Sequence, residues 1–504
     1  MVIMDDKRTQ SGRLSRYSCS TCRHQKKKCD RRQPQCSLCQ RYDRVCVYKT
    51  ARNSSVLGTS PKSLSGAPST TTAAKGQPDQ NGFPAVYFTD SALFWRSVGS
   101  LPDANLAISP DLLSLVEDVA AVREFTEAFF RYNYPWAPFI CRRNFLERIL
   151  NPLGERRCEN VLLIAAIKLI TTEPDADASS ATYCSLKRAL LEVELSGSLT
   201  FRTLQALVLV AIYELGQAIY PSAYLTVGYC ARYGIALGID RTIEPFGSSK
   251  PDDSEEERRT WWTIILLDRY LNVGCPERAL LIKEPSNTSV LPMDDKLWEM
   301  GYPPLYPPLV ISSPPTEAMG RFCLTVQAAY LLGKVLRYTG PQASEHRILE
   351  HEAQILDSTI AALTKVTLQE GAKRGIEVCC PTTICHSARL ILNQEIAWIH
   401  QHKSLAETNI VVEVQVTTAA DMLTLSRHIL RTGLSGNDDM SPFCHDAFYR
   451  SAIVYSQILQ KSDTEDAKNA IHDIKQSLRV NSHRWKAAAT YLRLLDARDV
   501  TGIF

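Results

Sequence analysis

Long apolar runs are missing from this 504-residue chain. The longest, Ala206 to Tyr213, falls far short of the roughly 20 residues that a membrane-crossing helix needs, so no transmembrane segment is expected. The N-terminus also lacks a signal-peptide core, because Met1-Val2-Ile3 gives way to Asp5-Asp6-Lys7-Arg8. Catalytic signatures are missing too. There is no Gly-x-Ser-x-Gly and no His-Glu-x-x-His, and Gly333-Lys334 lacks the upstream glycine of a phosphate-binding loop. An enzyme whose helical body does chemistry therefore finds no supporting constellation. A disulfide framework is not indicated either. Of 16 cysteines, ten lie beyond residue 50 and are scattered singly, apart from Cys379-Cys380 and Cys385. That usage fits reduced, buried thiols in an intracellular protein. Aromatic residues are absent between Tyr48 and Phe83, and 17 of the 32 residues 51–82 are Ser, Thr, Gly or Pro. Such a stretch cannot bury enough apolar surface to offset its ordering entropy, and it reads as a linker. It carries no heptad, so no coiled coil is expected there.

The formal net charge of +3 conceals an asymmetry. Residues 1–50 hold 13 Lys+Arg against 4 Asp+Glu, whereas the rest holds 44 against 50. A small basic head on a mildly acidic body implies a polyanionic partner for the head alone.

That head contains six cysteines, Cys19, Cys22, Cys29, Cys36, Cys39 and Cys46, spaced C-x2-C-x6-C-x6-C-x2-C-x6-C. The first three and the last three repeat one interval pattern. Zinc prefers four tetrahedral ligands, and thiolate suits it. Six thiolates satisfy two Zn2+ ions only if two are shared, and the repeat offers Cys19 and Cys36 as bridges. A second arrangement puts one ion on Cys19, Cys22, Cys36 and Cys39 and strands Cys29 and Cys46. A segment this short has no core of its own. Metal binding would supply most of its folding free energy, on the order of 10 kcal/mol or more. Between the second and third cysteines runs Arg23-His24-Gln25-Lys26-Lys27-Lys28, a cluster of cations inside the cage spacing.

Residues 19–48 resemble the fungal binuclear zinc cluster transcription factors in all six cysteines, Arg23, Lys26, Lys28, Asp30, Pro34 and Tyr48. The resemblance implies two zinc ions and a short helix docked end-on in the major groove, reading CGG-like triplets in double-stranded DNA. By position, Lys26 corresponds to the residue that addresses the guanines, whose O6 and N7 accept hydrogen bonds there. Arg16, Arg23, Lys27, Lys28, Arg31 and Arg32 are assigned to phosphates, contacts that add salt-dependent affinity without sequence information. Gln25 departs from the usual Arg or Lys of the family and puts strict CGG reading in question. A plainer reading makes the lysines a solvated basic face or a nuclear import signal.

Beyond the linker the pattern is helical. Asp111–Tyr132, Asn160–Thr171, Leu204–Leu215 and Ser222–Leu237 carry apolar residues at helical spacing, and close packing is expected at Gly228 and Gly234. Ser254-Glu255-Glu256-Glu257 has capping-box spacing ahead of Trp261-Trp262, which are read as core. Glu317–Tyr338, Ser344–Lys365, Thr382–His402, Glu413–Arg431, Ser441–Lys461 and Ala467–Ala497 follow as helices, with a proline-rich irregular crossover over 285–315. Residues 120–400 resemble the fungal-specific transcription factor domain, which implies an all-helical regulatory body.

The expected fold is mostly all-α. The parts are a flexible N-terminus (1–14), the zinc cluster (15–49), the linker (50–85) and the helical body (86–504). The expected function is a nuclear, zinc-dependent, sequence-specific transcription regulator that engages the transcription machinery. Activation of metabolic or secondary-metabolite genes is the default, with a repressor or a non-DNA-reading interaction protein as alternatives. Without a heptad, a homodimer would have to form through the body, and a monomer is the other outcome.

Overall fold

In the computed structural model, residues 15, 17–19, 22, 27–32, 35–42 and 46 of the head are described. In the body these are 86–90, 93–94, 106–151, 157–173, 180–245, 251–275, 277–302, 307–314, 319–339, 350–374, 380–399, 405–432 and 440–501. The linker and the first 14 residues lie outside them, as do Cys379, His400 and His402. The chain forms two compact units, Met1–Gly76 and Gln77–Phe504. The first unit carries one short helix among its described residues, α1 (Ser37–Arg41). The second is all-helical, with an isolated Val290–Val310 bridge as the β-pairing seen among the described residues.

After a single turn at Val86–Thr89, the early body helices include α2 (Pro110–Ser114), α3 (Val119–Ala128), α4 (Cys158–Thr171) and α5 (Ala181–Leu195). The single helix expected over 111–132 is thus broken. Asp118 accepts from the Ala120 and Ala121 amides at 2.8 and 3.3 Å and starts a new helix. This N-cap exposes Val119, which the helical stripe had placed inside. α5 was not anticipated, because its stripe is diluted by Lys187, Arg188, Glu192 and Glu194.

α6 (Phe201–Gly216) is the central rod, and every side chain from Thr203 to Gly216 is buried. A helix apolar on all sides belongs inside, and α6 packs on α4 and on α7 (Ser222–Leu237). Its buried Gln205 is satisfied, whereas Glu214 is paired through one carboxylate oxygen and its other has no hydrogen-bond partner among the described residues. Gln205 donates to the Phe139 carbonyl and to Glu256, and Glu214 meets Tyr183 and Lys187. In α7 a Cβ on Gly234 would lie 2.9 Å from the Trp261 ring, so that glycine permits the crossing with the next helix. At Gly228 the corresponding contact is an ordinary 3.8 Å to Leu281, so close packing there is not required.

α8 (Pro251–Tyr270) organises the irregular crossover. It starts three residues before the capping-box serine, with Pro251 in the first turn. Glu256, expected with Glu257 to favour the helix start, is a buried acceptor instead, as is Glu255. The fully buried Arg259 donates to Glu255 (2.8 Å), Asp295 (2.9 Å), the Pro138 carbonyl (3.1 Å) and the Met293 carbonyl (2.7 Å). Its guanidinium also lies 4.1 Å from the Trp298 ring centroid. Burial alone would lower the Arg259 pKa, but Asp295 and Glu255 hold it above its ordinary value. Burial likewise pushes the Glu256 carboxyl up, yet Arg202 at 2.7 Å overcomes this and holds it below the usual range. At the far end, Asp268 accepts from the Leu281 and Ile282 amides and pairs with Arg269, which donates to the Ile282 carbonyl. Both ends of α8 thus pin the chain between 281 and 295, where the short α9 (Asp295–Glu299) follows.

The remaining helices are α10 (Arg321–Thr339), α11 (Glu350–Arg374), α12 (Cys380–Ile399), α13 (Leu405–Thr432), α14 (His445–Ser462), α15 (Glu465–Ser482) and α16 (Lys486–Thr501). α10 packs on α8, α11 and α12, and α12 hands the stack on to α13 and α14. A second core built on Met422, Phe448, Ile474, Leu478 and Leu495 joins α13 to α16. Residues 412–417, whose alternation would also suit a strand, are helical within α13, in line with the helix expected over Glu413–Arg431. The single helix expected over 467–497 is two. Arg484, between them, donates to the Thr172 carbonyl, and Trp485 packs where Gly216 leaves no room for a Cβ. Trp261 and Trp262 are core, the latter donating to the Val290 carbonyl at 3.0 Å.

Candidate zinc centre and nucleic-acid interface

Four of the six head cysteines, Cys19, Cys22, Cys36 and Cys39, are fully buried in a segment with almost no apolar side chains. Their sulfurs lie within 4.8 Å of one another. The individual separations are 3.8 Å for Cys19–Cys36, 3.7 Å for Cys19–Cys39 and 3.7 Å for Cys22–Cys36. Two thiolates on one tetrahedral zinc, each bonded at about 2.3 Å, stand about 3.8 Å apart. The donor set therefore fits zinc.

The quartet alone also suits a single ion. The two arrangements differ in what they do with Cys29 and Cys46. Cys29 sits beside Cys22 and within 4.8 Å of Cys36. Cys46 accepts from the Cys36 amide at 3.3 Å and lies beside Cys19 and Cys39. Each outer sulfur therefore lies against the quartet, and sulfurs of the two halves adjoin one another.

The two halves are built alike. The Cys22 amide donates to the Cys19 sulfur at 3.4 Å, and the Cys39 amide donates to the Cys36 sulfur at 3.4 Å. The first cysteine of each half thus caps its own short turn and receives a donor that helps it carry thiolate charge. Burial, then the neighbouring thiols Cys36 and Cys19, push the Cys39 thiol up to about 12. Metal binding has to displace such protons, so loading is proton-coupled.

Asp30, just after Cys29, ties the halves together. Its carboxylate accepts from the Ser37 amide (3.1 Å) and hydroxyl (2.5 Å) at the start of α1. The Ser37 hydroxyl bond is the main reason its pKa is held down. Sequence reasoning placed Asp30 in the motif without giving it this role. The signal was a carboxylate facing the first turn of the second half.

Among the expected DNA-contacting residues, Lys27, Lys28, Arg31 and Arg32 are all exposed on the cage. Arg32 lies 3.8 Å from Asp30, and Arg31 adopts a left-handed backbone, with φ of 61°. Arg16, Arg23, Gln25 and Lys26 lie outside the described residues. In the body, Cys380, Cys385 and His386 are buried and form no metal-ligand group among the described residues. Burial pushes the Cys158 thiol up to about 11, and raises Cys230 and Cys323 further. These are inert core thiols.

Comparison with known proteins agrees with this geometry. Residues 17–55 match the fungal Zn(2)-Cys(6) binuclear cluster domain, a domain that binds two zinc ions. Residues 126–309 match the fungal specific transcription factor domain, a shorter span than the 120–400 of the sequence resemblance. Transcription factor BOA15 of Botryotinia fuckeliana (strain B05.10) is 30% identical over 162 residues, covering 32% of this chain and 89% of that protein.

Proposed function

Because this chain belongs to the fungal Zn(2)-Cys(6) binuclear cluster transcription factors, and so to the DNA-binding regulators rather than the enzymes, we propose how it reads its site. One zinc is held by Cys19, Cys22, Cys29 and Cys36, and the other by Cys19, Cys36, Cys39 and Cys46. Zinc supplies the folding free energy of the module and takes no part in bond chemistry. The observation that carries this reading is the buried sulfur cage with Lys27, Lys28, Arg31 and Arg32 exposed on it. Those four cations, with Arg16 and Arg23, neutralise phosphates and set the register. Lys26 addresses guanine edges of a CGG-like triplet from the major groove, with Gln25 beside it adjusting base preference.

The DNA-reading module is residues 15–49, tethered through 50–85 to the regulatory body 86–504. The protein acts in the nucleus as an activator of metabolic or secondary-metabolite genes. In vitro selection from random DNA with full-length zinc-loaded protein tests this. Enrichment of CGG-like triplets that disappears on chelation supports the reading. Two triplets at fixed separation mean a dimer, and one means a monomer. No zinc-dependent enrichment removes direct sequence reading and favours the interaction-protein alternative, for which Gln25 is the specific hint.

A further inference from the structure

The body contains a cavity of about 580 Å³ that no DNA-reading role uses. That volume lies within the ordinary range of small-molecule sites, about 300–1,000 Å³. Its wall is unusually phenolic. Tyr220 precedes α7, Tyr224 lies in its first turn, Tyr270 ends α8, and Tyr491 comes from α16. The Tyr270 hydroxyl accepts from the Asp446 amide at 3.3 Å, which leaves its own proton free to donate. The hydroxyls of Tyr220, Tyr224 and Tyr491 have no hydrogen-bond partner among the described residues. Arg278 stands at the same wall with its guanidinium 5.5 Å from the Tyr224 ring centroid, and it meets no carboxylate among the described residues. Burial holds the Tyr270 and Tyr491 hydroxyls well above their ordinary value, so both remain protonated donors. Gly274 opens the wall further, because a Cβ there would meet nothing within 4 Å.

An open-sided cleft with aromatic faces, hydroxyls that have no protein partner among the described residues and the exposed Arg278 cation at its wall selects for a complementary guest. We propose that this cavity binds a planar aromatic anion of a few rings, with Arg278 pairing its charge and the tyrosines stacking and donating to its oxygens. Aromatic walls favour a flat apolar body. A charge-assisted guanidinium bond adds orientation and affinity. The guest would join α7 and α8, within the matched residues 126–309, to α16, which lies beyond them. Occupancy would therefore stiffen the C-terminal helices against the central rod.

The test uses 1-anilinonaphthalene-8-sulfonate as probe on the full-length, zinc-loaded chain, with neutral N-phenyl-1-naphthylamine as the uncharged comparison. The expected result is one saturable site per chain for the anion and a raised thermal midpoint. Arg278→Gln should weaken the anion about tenfold, as loss of one charged hydrogen bond implies, and leave the neutral dye unchanged. Gly274→Trp should abolish both. Where circular dichroism shows that Gly274→Trp has not folded, the Arg278→Gln/Tyr491→Phe double variant carries the test. Absence of saturable binding overturns the proposal. So does anion binding that is unchanged in the variants, which would place the dye on exposed apolar residues such as Leu225 and Leu281.

Discussion

The head and the body of this protein are held together by opposite means. The head buries sulfur and almost no carbon, and its described cations all face solvent. The body buries a continuous apolar core, and its strongest polar fixtures, Arg259 and Asp268–Arg269, are paired inside it. One unit is specified by six ligands at fixed spacing, the other by many interchangeable apolar contacts plus a few buried charges. Removing zinc should therefore unfold one without touching the other, and a core substitution should do the reverse.

Chelation gives the largest contrast. With on the order of 10 kcal/mol of metal binding removed, the head should lose its fold and all sequence-specific DNA binding. The thermal midpoint of the helical body should stay put by circular dichroism. A shared loss would break the comparison.

Arg259→Met reverses the effect. Glu255 and Asp295 would then be left without their shared cation, at a cost of about 3–5 kcal/mol. Urea unfolding should show this loss in the body while zinc content stays unchanged.

Acid reaches the two units by different groups, the zinc thiolates of the head and buried histidines of the body. Burial pulls the His445 imidazole down to about 3 and, with the charge of Arg389, His386 down to about 4. Both nitrogens of His445 lack a hydrogen-bond partner among the described residues. Each folded value lies below the unfolded 6.5, so this contribution is complete above about pH 6.5 and is lost as pH falls toward 4. Urea midpoints should therefore drop between pH 7 and pH 5. Each histidine should cost about 1.4 kcal/mol for every pH step of one below its unfolded value, and the drop should flatten in His445→Phe. Identical slopes in both proteins would remove His445 from the account.

Smaller effects sharpen the picture within the head. Lys27→Ala should weaken specific and scrambled DNA alike and reduce the salt slope by about one, whereas Lys26→Ala should erase the difference between the two sites. Mobility shifts across a salt series distinguish them. Asp30→Ala should cost about 1 kcal/mol, the usual loss when an acceptor leaves a helix start, and show as easier zinc loss to a competing chelator.

Much of this was legible in the sequence, and the reasons are physical. Ligand spacing is a one-dimensional code, so the six cysteines declared a two-zinc cluster from the sequence alone. Helical periodicity located α7 to its end residues, because Gly238 stops it in the left-handed region, with φ of 78°. The breaks at 115–118 and 483–485 were not visible. A carboxylate cap in one place, and in the other an arginine–tryptophan anchor reaching back to Thr172 and Gly216, override local periodicity. The fate of Glu255, Glu256 and Arg259 was hidden too. Their spacing suits a solvated helix start as well as a buried network, and only the packing of Asp295 and Trp298 against them decides. The phenolic cavity draws on residues from 220 to 491, and nothing local marks them as neighbours.

The central claim is that two sulfurs, Cys19 and Cys36, are shared between two ions. Native mass spectrometry of zinc-loaded full-length protein and its single Cys→Ser variants tests it directly. The account predicts two zinc ions per chain, one after Cys29→Ser or Cys46→Ser, and none firmly held after Cys19→Ser or Cys36→Ser. A single zinc in the unsubstituted chain that also survives in the Cys29→Ser/Cys46→Ser double variant would contradict it.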